Sequence, residues 1–348
     1  MLKEKCKNYI DEIDEMTRKY YKILSKDFPE FLNEYIYTEE MQRLDGINQI
    51  CGAYWKKPNA FEDIYSVLKH SVAVALIVWN FTHDKIQTLS ALFHDISSPA
   101  FKHLLDFVNG DSEKQESLED NTENIIRASK KIMELLKRDK IDIDKISDYK
   151  IYPIADNDTP RLSADRLEYT FMNGVYYINA WTLEEIKEIY DNIIIAENED
   201  GVQELAFEDI EIAEKFVEVA SKLWPLWIRA EDTITVYAFA RIIEKMYKAN
   251  YMSVEDLYNL SEKQIINLVK ASKDKEISDL FISFMNINEF FETDEETKDK
   301  FCVSRKVKRR YINPLVNNKR VYDISKKAKE NIDGYFNIKM TKYAYIEW

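Results

Sequence analysis

At 348 residues, 45% of them hydrophobic and 13% aromatic, the chain is long enough for one large core or a core with a smaller lobe, and it reads as an ordinary globular protein. A formal net charge of -14 sets the body as a whole against a nucleic-acid backbone and excludes a general DNA or RNA coat from the expected roles. Cys6, Cys51 and Cys302 are too dispersed for a disulfide framework or a thiolate zinc site, and no run nears the roughly 18 apolar residues of a membrane span, so a reducing cytoplasm is the expected home.

Six glycines and seven prolines favour long helices over strands. They leave no glycine-rich loop to cradle phosphate, which side chains must therefore hold. Residues 4–25 and 28–43 alternate apolar and charged positions at helical spacing, with a break at Asp27-Phe28-Pro29, and residues 52–59 read as a loop. From 61 to 81 the chain is apolar on nearly every side, which predicts a buried helix. His70 at its middle needs a partner, because an unpaired buried polar group costs about 1–3 kcal/mol. The residue type alone leaves it either a hydrogen-bonded core histidine or a ligand. His83 falls in a solvated turn. Ile86, Leu89, Leu92 and Phe93 give the next helix a buried stripe, which His94-Asp95 closes. Adjacent side chains on a helix point about 100° apart, so this pair can converge on one ion only where the helix ends. Ser97-Ser98-Pro99 supplies that end, with Ser98 as N-cap and Pro99 opening a helix that runs to Asn109-Gly110. On such a helix His103 lies opposite the stripe Phe101, Leu104, Leu105 and Val108, facing either a cleft or solvent.

Residues 116–138 read as a long charged helix, 151–160 as irregular, and 161–177 as a helix that sets Asp165 and Tyr169 one turn apart on one face. Thr182 with Glu185 is a capping box. Residues 192–196 and 202–207, separated by Asn198-Glu199-Asp200-Gly201, form a hairpin pattern, the one β element expected in the main body. Two helices follow over 210–251 with an interruption near Pro225, and Ser253 and Ser261 open two more. Phe216, Trp224, Trp227, Tyr237 and Phe239 read as core or subunit interface. Beyond 300, Val303, Val307, Tyr311-Ile312, Val321-Tyr322 and residues 343–346 suggest short strands. Residues 300–329 carry eleven basic side chains against the single acid Asp323. They could hold a nucleotide or polyphosphate, form a solvated face, or dock on the acidic body of a neighbouring subunit. The expected fold is all-α, helical over 1–290 with one hairpin, followed by a basic α+β lobe over 291–348.

The order His70, His94-Asp95, Asp165 is similar to that of the HD superfamily of metal-dependent phosphohydrolases. Three flanking segments resemble its deoxynucleotide triphosphohydrolase branch over residues 40–180. Arg43-Leu44 and Gln49 precede the first His, Phe101-Lys102-His103 matches a Pro-Phe-Ser-His-like motif, and Asp165-Arg166-Leu167-Glu168-Tyr169 matches an Asp-Lys-x-Asp-Tyr-like helix. The resemblance implies a mainly helical HD-domain fold in which His70, His94, Asp95 and Asp165 ligate one divalent metal ion (Mn, Fe, Ni, Co, Zn or Mg). It further implies Arg43, Gln49, Arg166 and Tyr169 as nucleotide contacts and a homo-oligomer, dimer or tetramer, with an activator nucleotide as a further partner. For Arg43 and Gln49 an ion pair with a nearby carboxylate and a helix cap remain open alternatives.

Two imidazoles and two carboxylates suit a first-row divalent ion and leave positions for water and a phosphate oxygen. The catalytic candidates are Asp95 at the metal and His103 as general acid. The branch carries a His where this chain has Ser98, a His-Glu pair where it reads Gln115-Glu116-Ser117-Leu118-Glu119, an Arg where it has Val67 and an Asp where it has Asn173. A serine cannot protonate a leaving phosphate near neutral pH, so His103, or Glu116 and Glu119, would take that role. The expected activity is a deoxynucleoside triphosphate triphosphohydrolase. The alternatives are an HD-type phosphatase or phosphodiesterase on nucleoside monophosphates or cyclic nucleotides, and a non-catalytic nucleotide sensor.

Overall fold

A computed structural model describes residues 8–57, 60, 62, 64–102, 104, 121–305, 307 and 309–348. Its centre is the helix Val67–Thr82, begun by the Ser66 side chain, which accepts the Lys69 N–H, and buried at almost every position from Val67 to Val78. Such a helix gains about 1.5–3 kcal/mol for each large aliphatic side chain it buries. It ends at His83, an exposed residue in the left-handed region at φ 50, and the chain restarts at once on Asp84, whose carboxylate caps the helix Lys85–Phe93. The two helices pack as a hairpin. His70 lies thirteen residues before His83 and His94 eleven after it. At about 1.5 Å rise per residue the two imidazoles therefore stand at nearly the same height, about 17–20 Å from the connection.

The helix Ala164–Tyr176, capped by Ser163, lies across Val67–Thr82 and carries Asp165 in its first turn. Around this trio the helices Glu15–Leu24, Phe31–Ile36, Lys130–Asp139, Leu183–Tyr190 and Ile210–Leu223 close a first core. A second core gathers on the helix Ala230–Lys248 with Glu262–Ala271 and Lys275–Asn286, and it takes in Trp55, Ala100, Phe101 and Leu104. The expected mainly helical architecture is present. No helix among the described residues is long and apolar enough to cross a membrane.

Several elements differ from the sequence pattern. The N-terminal runs are cut into shorter helices at Asp14, which caps Thr17, and at Thr38, whose buried hydroxyl donates to the Tyr35 carbonyl. Short polar side chains compete with the helical backbone in this way. Ser129 similarly divides Thr122–Ala128 from Lys130–Asp139, and residues 116–120 lie outside the described ones. No helix begins at Pro99, because Phe101 and Lys102 are both left-handed, at φ 64 and 44.

The hairpin Ile193–Glu197/Gln203–Phe207 is antiparallel as expected but does not stand alone in the body. Gln203–Phe207 pairs in parallel with Leu315–Val316, which pairs with Lys319–Arg320 across left-handed Asn317 and Asn318. That tight turn uses up the strand, so Val321–Ile324 is helical rather than extended. Phe291–Thr293, Tyr343–Ile346 and Phe301–Ser304 form a separate sheet on the second core. Hydrophobic packing thus divides the chain differently from a boundary at 290, since Ile312, Val316, Val321, Ala328, Ile332 and Tyr335 complete the first core. The basic residues follow the same path onto the protein's own acids. Arg320 grips Glu199 and the fully buried Glu204, Arg305 pairs with Glu292, Lys327 with Glu218 and Lys300 with Glu347.

Candidate metal centre

The helix hairpin and the crossing helix deliver four side chains to one point. His70 and His94, both buried, bring their Nε2 atoms within 3.1 Å of each other. Asp165 Oδ1 stands 3.1 Å from His70 Nε2 and 3.7 Å from His94 Nε2. Asp95 Oδ2 stands 4.0 and 3.7 Å from the same two nitrogens. His94 closes its helix as the C-terminal cap, so the chain turns immediately after it and Asp95 can face the same point. The helix end expected at this pair is present, made by the 98–102 turn instead of a new helix.

The far sides of the rings settle what the near sides can do. His94 Nδ1 donates to the Ala91 carbonyl at 2.7 Å, and His70 Nδ1 is held very closely by the Glu168 carboxylate. With each Nδ1 carrying its hydrogen, the neutral form of each ring presents its Nε2 lone pair toward the other ring and toward two carboxylates. Ligand atoms of His70, His94 and Asp95 lie within 4.8 Å of one another, a spacing that can hold a metal ion at bonds of about 2.0–2.2 Å, and Asp165 Oδ1 adjoins both imidazoles. The residues therefore fit a divalent ion that accepts mixed nitrogen and oxygen ligands.

Without an ion, a proton on His70 Nε2 answers the carboxylates, and a metal has to displace it. Burial disfavours the imidazolium of His70, yet Glu168 and Asp165 outweigh it and raise the ring to about 9. Desolvation also opposes the charge on half-buried Asp95, but Lys102 and the two imidazoles hold its carboxyl well below the usual carboxylate range. Asp165, opposed by burial and favoured by His70, falls to about 2. Both acids are thus carboxylates, the form a metal needs.

The other sequence-derived residues take specific places. Arg43 donates to the carbonyls of Ile96 and Ser98, at 2.6 and 2.8 Å, and so holds the turn behind Asp95. Gln49 Oε1 accepts from Lys102 Nζ at 2.8 Å, and Lys102 in turn reaches Asp95 Oδ2 at 3.1 Å. Arg166 sits one residue from Asp165 but turns to Asp156, at 3.0 Å, and to the Asn157 side chain, at 2.8 Å. Tyr169 packs edge-on against Trp227 with ring centres 5.6 Å apart, and burial pushes its phenol up to about 12. Ser98 donates to Asp95 Oδ1 at 3.2 Å. His103, Glu116 and Glu119 lie outside the described residues, so the direction expected of His103 lies outside them too.

Three contributors were not singled out by sequence. Glu168 has no exposure and takes hydrogen bonds from Tyr65 at 2.6 Å and, more weakly, Tyr20 at 3.5 Å while bound to His70. Its signal was the spacing Asp165-x-x-Glu168 on a helix. Tyr149 places its ring 5.3 Å from that of His94, and nothing in its sequence surroundings marks it. Lys102 was visible only as the middle of Phe101-Lys102-His103.

No protein-family model matches the chain. A Bacillus subtilis (strain 168) protein, the uncharacterized YdhJ, is 25% identical over 290 residues, which cover 82% of this chain and 83% of that one. A hypothetical protein from Aquifex aeolicus has a solved structure that superposes with a TM-score of 0.62 at 15% identity, over 92% of this chain and 93% of its own. The structure of a phosphohydrolase from Bacteroides thetaiotaomicron VPI-5482 superposes with a TM-score of 0.59 at 16% identity, over 92% of this chain and 96% of its own. At such identities these two likenesses show a shared fold.

Proposed function

We propose that the protein is a metal-dependent phosphohydrolase that acts on a nucleotide, with His70, His94, Asp95 and Asp165 as the ligands of one divalent ion. The observation that carries the reading is the convergence of two Nε2 lone pairs and two carboxylates, with both Nδ1 hydrogens already engaged. The fold shared with the Bacteroides phosphohydrolase and the resemblance of the ordered motifs to the HD superfamily support it further. A divalent ion held here would supply Lewis acidity, activating water and offsetting charge on a phosphoryl oxygen. The protein's own share is to orient the two imidazoles through Glu168 and Ala91, to keep Asp95 ionised through Lys102, and to fix the turn that carries Asp95 through Arg43.

The motif order favours a deoxynucleoside triphosphate as substrate, with release of inorganic triphosphate. A nucleoside monophosphate is the second reading, and a specific observation favours it. The guanidinium groups of Arg43 and Arg166, which would grip a long phosphate chain, are bonded to protein acceptors. Incubation with deoxynucleoside triphosphates and nucleoside monophosphates, each with Mn, Co, Ni, Zn or Mg, separates the two. Triphosphate release supports the first and orthophosphate release from monophosphates the second, and no turnover of any nucleotide by metal-loaded protein refutes both.

A further inference from the structure

The geometry points to Lys102 as the side chain with which this centre binds the phosphate of its substrate. The inference rests on the phosphohydrolase reading and adds a residue that the motifs do not supply, because the resembled Pro-Phe-Ser-His pattern has a serine where this chain has the lysine.

The first ground is position. Lys102 Nζ is 3.1 Å from Asp95 Oδ2 and 2.8 Å from Gln49 Oε1, with its side chain only 11% exposed. An ammonium group has three donors, and contacts with the described residues use two. Arg43 and Arg166 are bonded to carbonyls, Asp156 and Asn157, so neither offers the centre its charge in the same way.

The second ground is backbone cost. Phe101 and Lys102 are consecutive non-glycine residues in the left-handed region, at φ 64 and 44. Each such residue is unfavourable, and two in succession persist only where the surroundings over-determine them. Here they do. The Phe101 ring is wedged against Trp55 and Phe239, with centres 5.5 and 4.7 Å away, and its N–H donates to buried Glu262 Oε1 at 2.9 Å. The Ala100 N–H donates to the Leu257 carbonyl at 2.7 Å. All of these anchors belong to the second core, and the turn they enforce sends Lys102 the other way, to the metal centre.

The third ground is charge. Asp95 holds Lys102 at 3.1 Å, but a divalent ion held by Asp95 would weaken that hold and leave the ammonium in want of an anion. A phosphoryl group is the anion this centre is built to meet.

The test uses full-length, metal-loaded protein titrated calorimetrically with inorganic orthophosphate. Lys102→Met keeps the length and apolar stem of the side chain. It is expected to bind metal at the parent's stoichiometry and to lose about 10- to 100-fold in orthophosphate affinity, the worth of one charged hydrogen bond. Lys102→Arg should recover part of that loss. A lysine that serves only to neutralise Asp95 would change metal affinity or melting temperature and leave orthophosphate binding alone, so unchanged orthophosphate affinity in Lys102→Met overturns the inference. Should the methionine variant melt well below the parent, Lys102→Gln, which can still bond Asp95, must show the same loss or the inference falls. A parent that takes up metal but no orthophosphate refutes Lys102 alone, whereas a parent that takes up no metal refutes the phosphohydrolase reading beneath it.

Discussion

A carboxylate with no exposed surface, facing two tyrosine hydroxyls and an imidazole, is an expensive group to keep in a core, and Glu168 is kept there because of His70. It fixes the tautomer that leaves Nε2 free for an ion and makes that nitrogen more basic. Replacing Glu168 with Gln preserves its size and removes the charge. The variant is expected to lose about 10- to 100-fold in metal affinity, measured by competition with a chelator, while its circular dichroism stays helical. Equal affinity in variant and parent would reduce Glu168 to a packing residue. Helical spacing alone pairs Tyr169 with Asp165 as readily as Glu168, for a reason that lies in helix geometry. Steps of three and four residues rotate about 300° and 400°, so Glu168 and Tyr169 flank Asp165 on opposite sides. Which side meets the core depends on the helix packed against it, and that was not legible. The four ligands were legible because their chemistry shows in residue type and order, whereas a supporting carboxylate resembles any surface glutamate.

At the scale of elements, the caps and the buried helix could be read directly, while the turn after Asp95 could not. Thr182 and Ser261 cap the helices expected to follow them, whereas the helix expected at Ser253 starts at Asp256, and Val67–Thr82 is as buried as its apolar pattern implies. Ser98-Pro99 has the same local signature, but the residues directly after it, 100–102, form a turn. Burying Phe101 against Trp55 and Phe239 outweighs the local preference and bends the backbone at 101–102. Glu262 secures that bend, and its isolation has a consequence for pH. Burial raises its carboxyl to about 8, and Oε2 has no hydrogen-bond partner among the described residues. Asp232, which accepts the Ala53 N–H at 2.9 Å, is raised by burial to about 7. The unfolded chain releases both protons in the ordinary carboxylate range near pH 4, and the folded chain holds them to about 7 and 8. Between those limits the folded state binds more protons, so these groups make stability fall as pH rises. Glu262→Gln keeps the acceptor for Phe101 and removes one of the two titrations. In urea denaturation it should match the parent near pH 5 and exceed it near pH 9, by roughly 1–3 kcal/mol. Parallel pH curves for the two proteins would contradict this account of the turn.

Across the whole molecule, the excess of acid over base is partly answered from within. The basic residues of 300–329 looked like a separate patch in sequence, where the distance to their partners is hidden. In the fold, Arg320 spans more than a hundred residues to Glu199 and Glu204, and Lys327 does so to Glu218. Those pairs lock the C-terminal segment onto the first core, whose helices in turn carry the metal ligands. Long-range pairing of this kind has no local signature, which is why the helical class was readable and the merging of the C-terminal strands into the hairpin sheet was not.

Metal content is the most direct measure of whether this arrangement exists for an ion. Purified protein loaded with a divalent metal and freed of excess by gel filtration should hold one ion per chain by mass spectrometry. Asp95→Ala, which removes a ligand without touching the buried histidines, should hold almost none while keeping the parent's helical circular dichroism. An Asp95→Ala variant that retains the parent's full complement of metal would contradict the site.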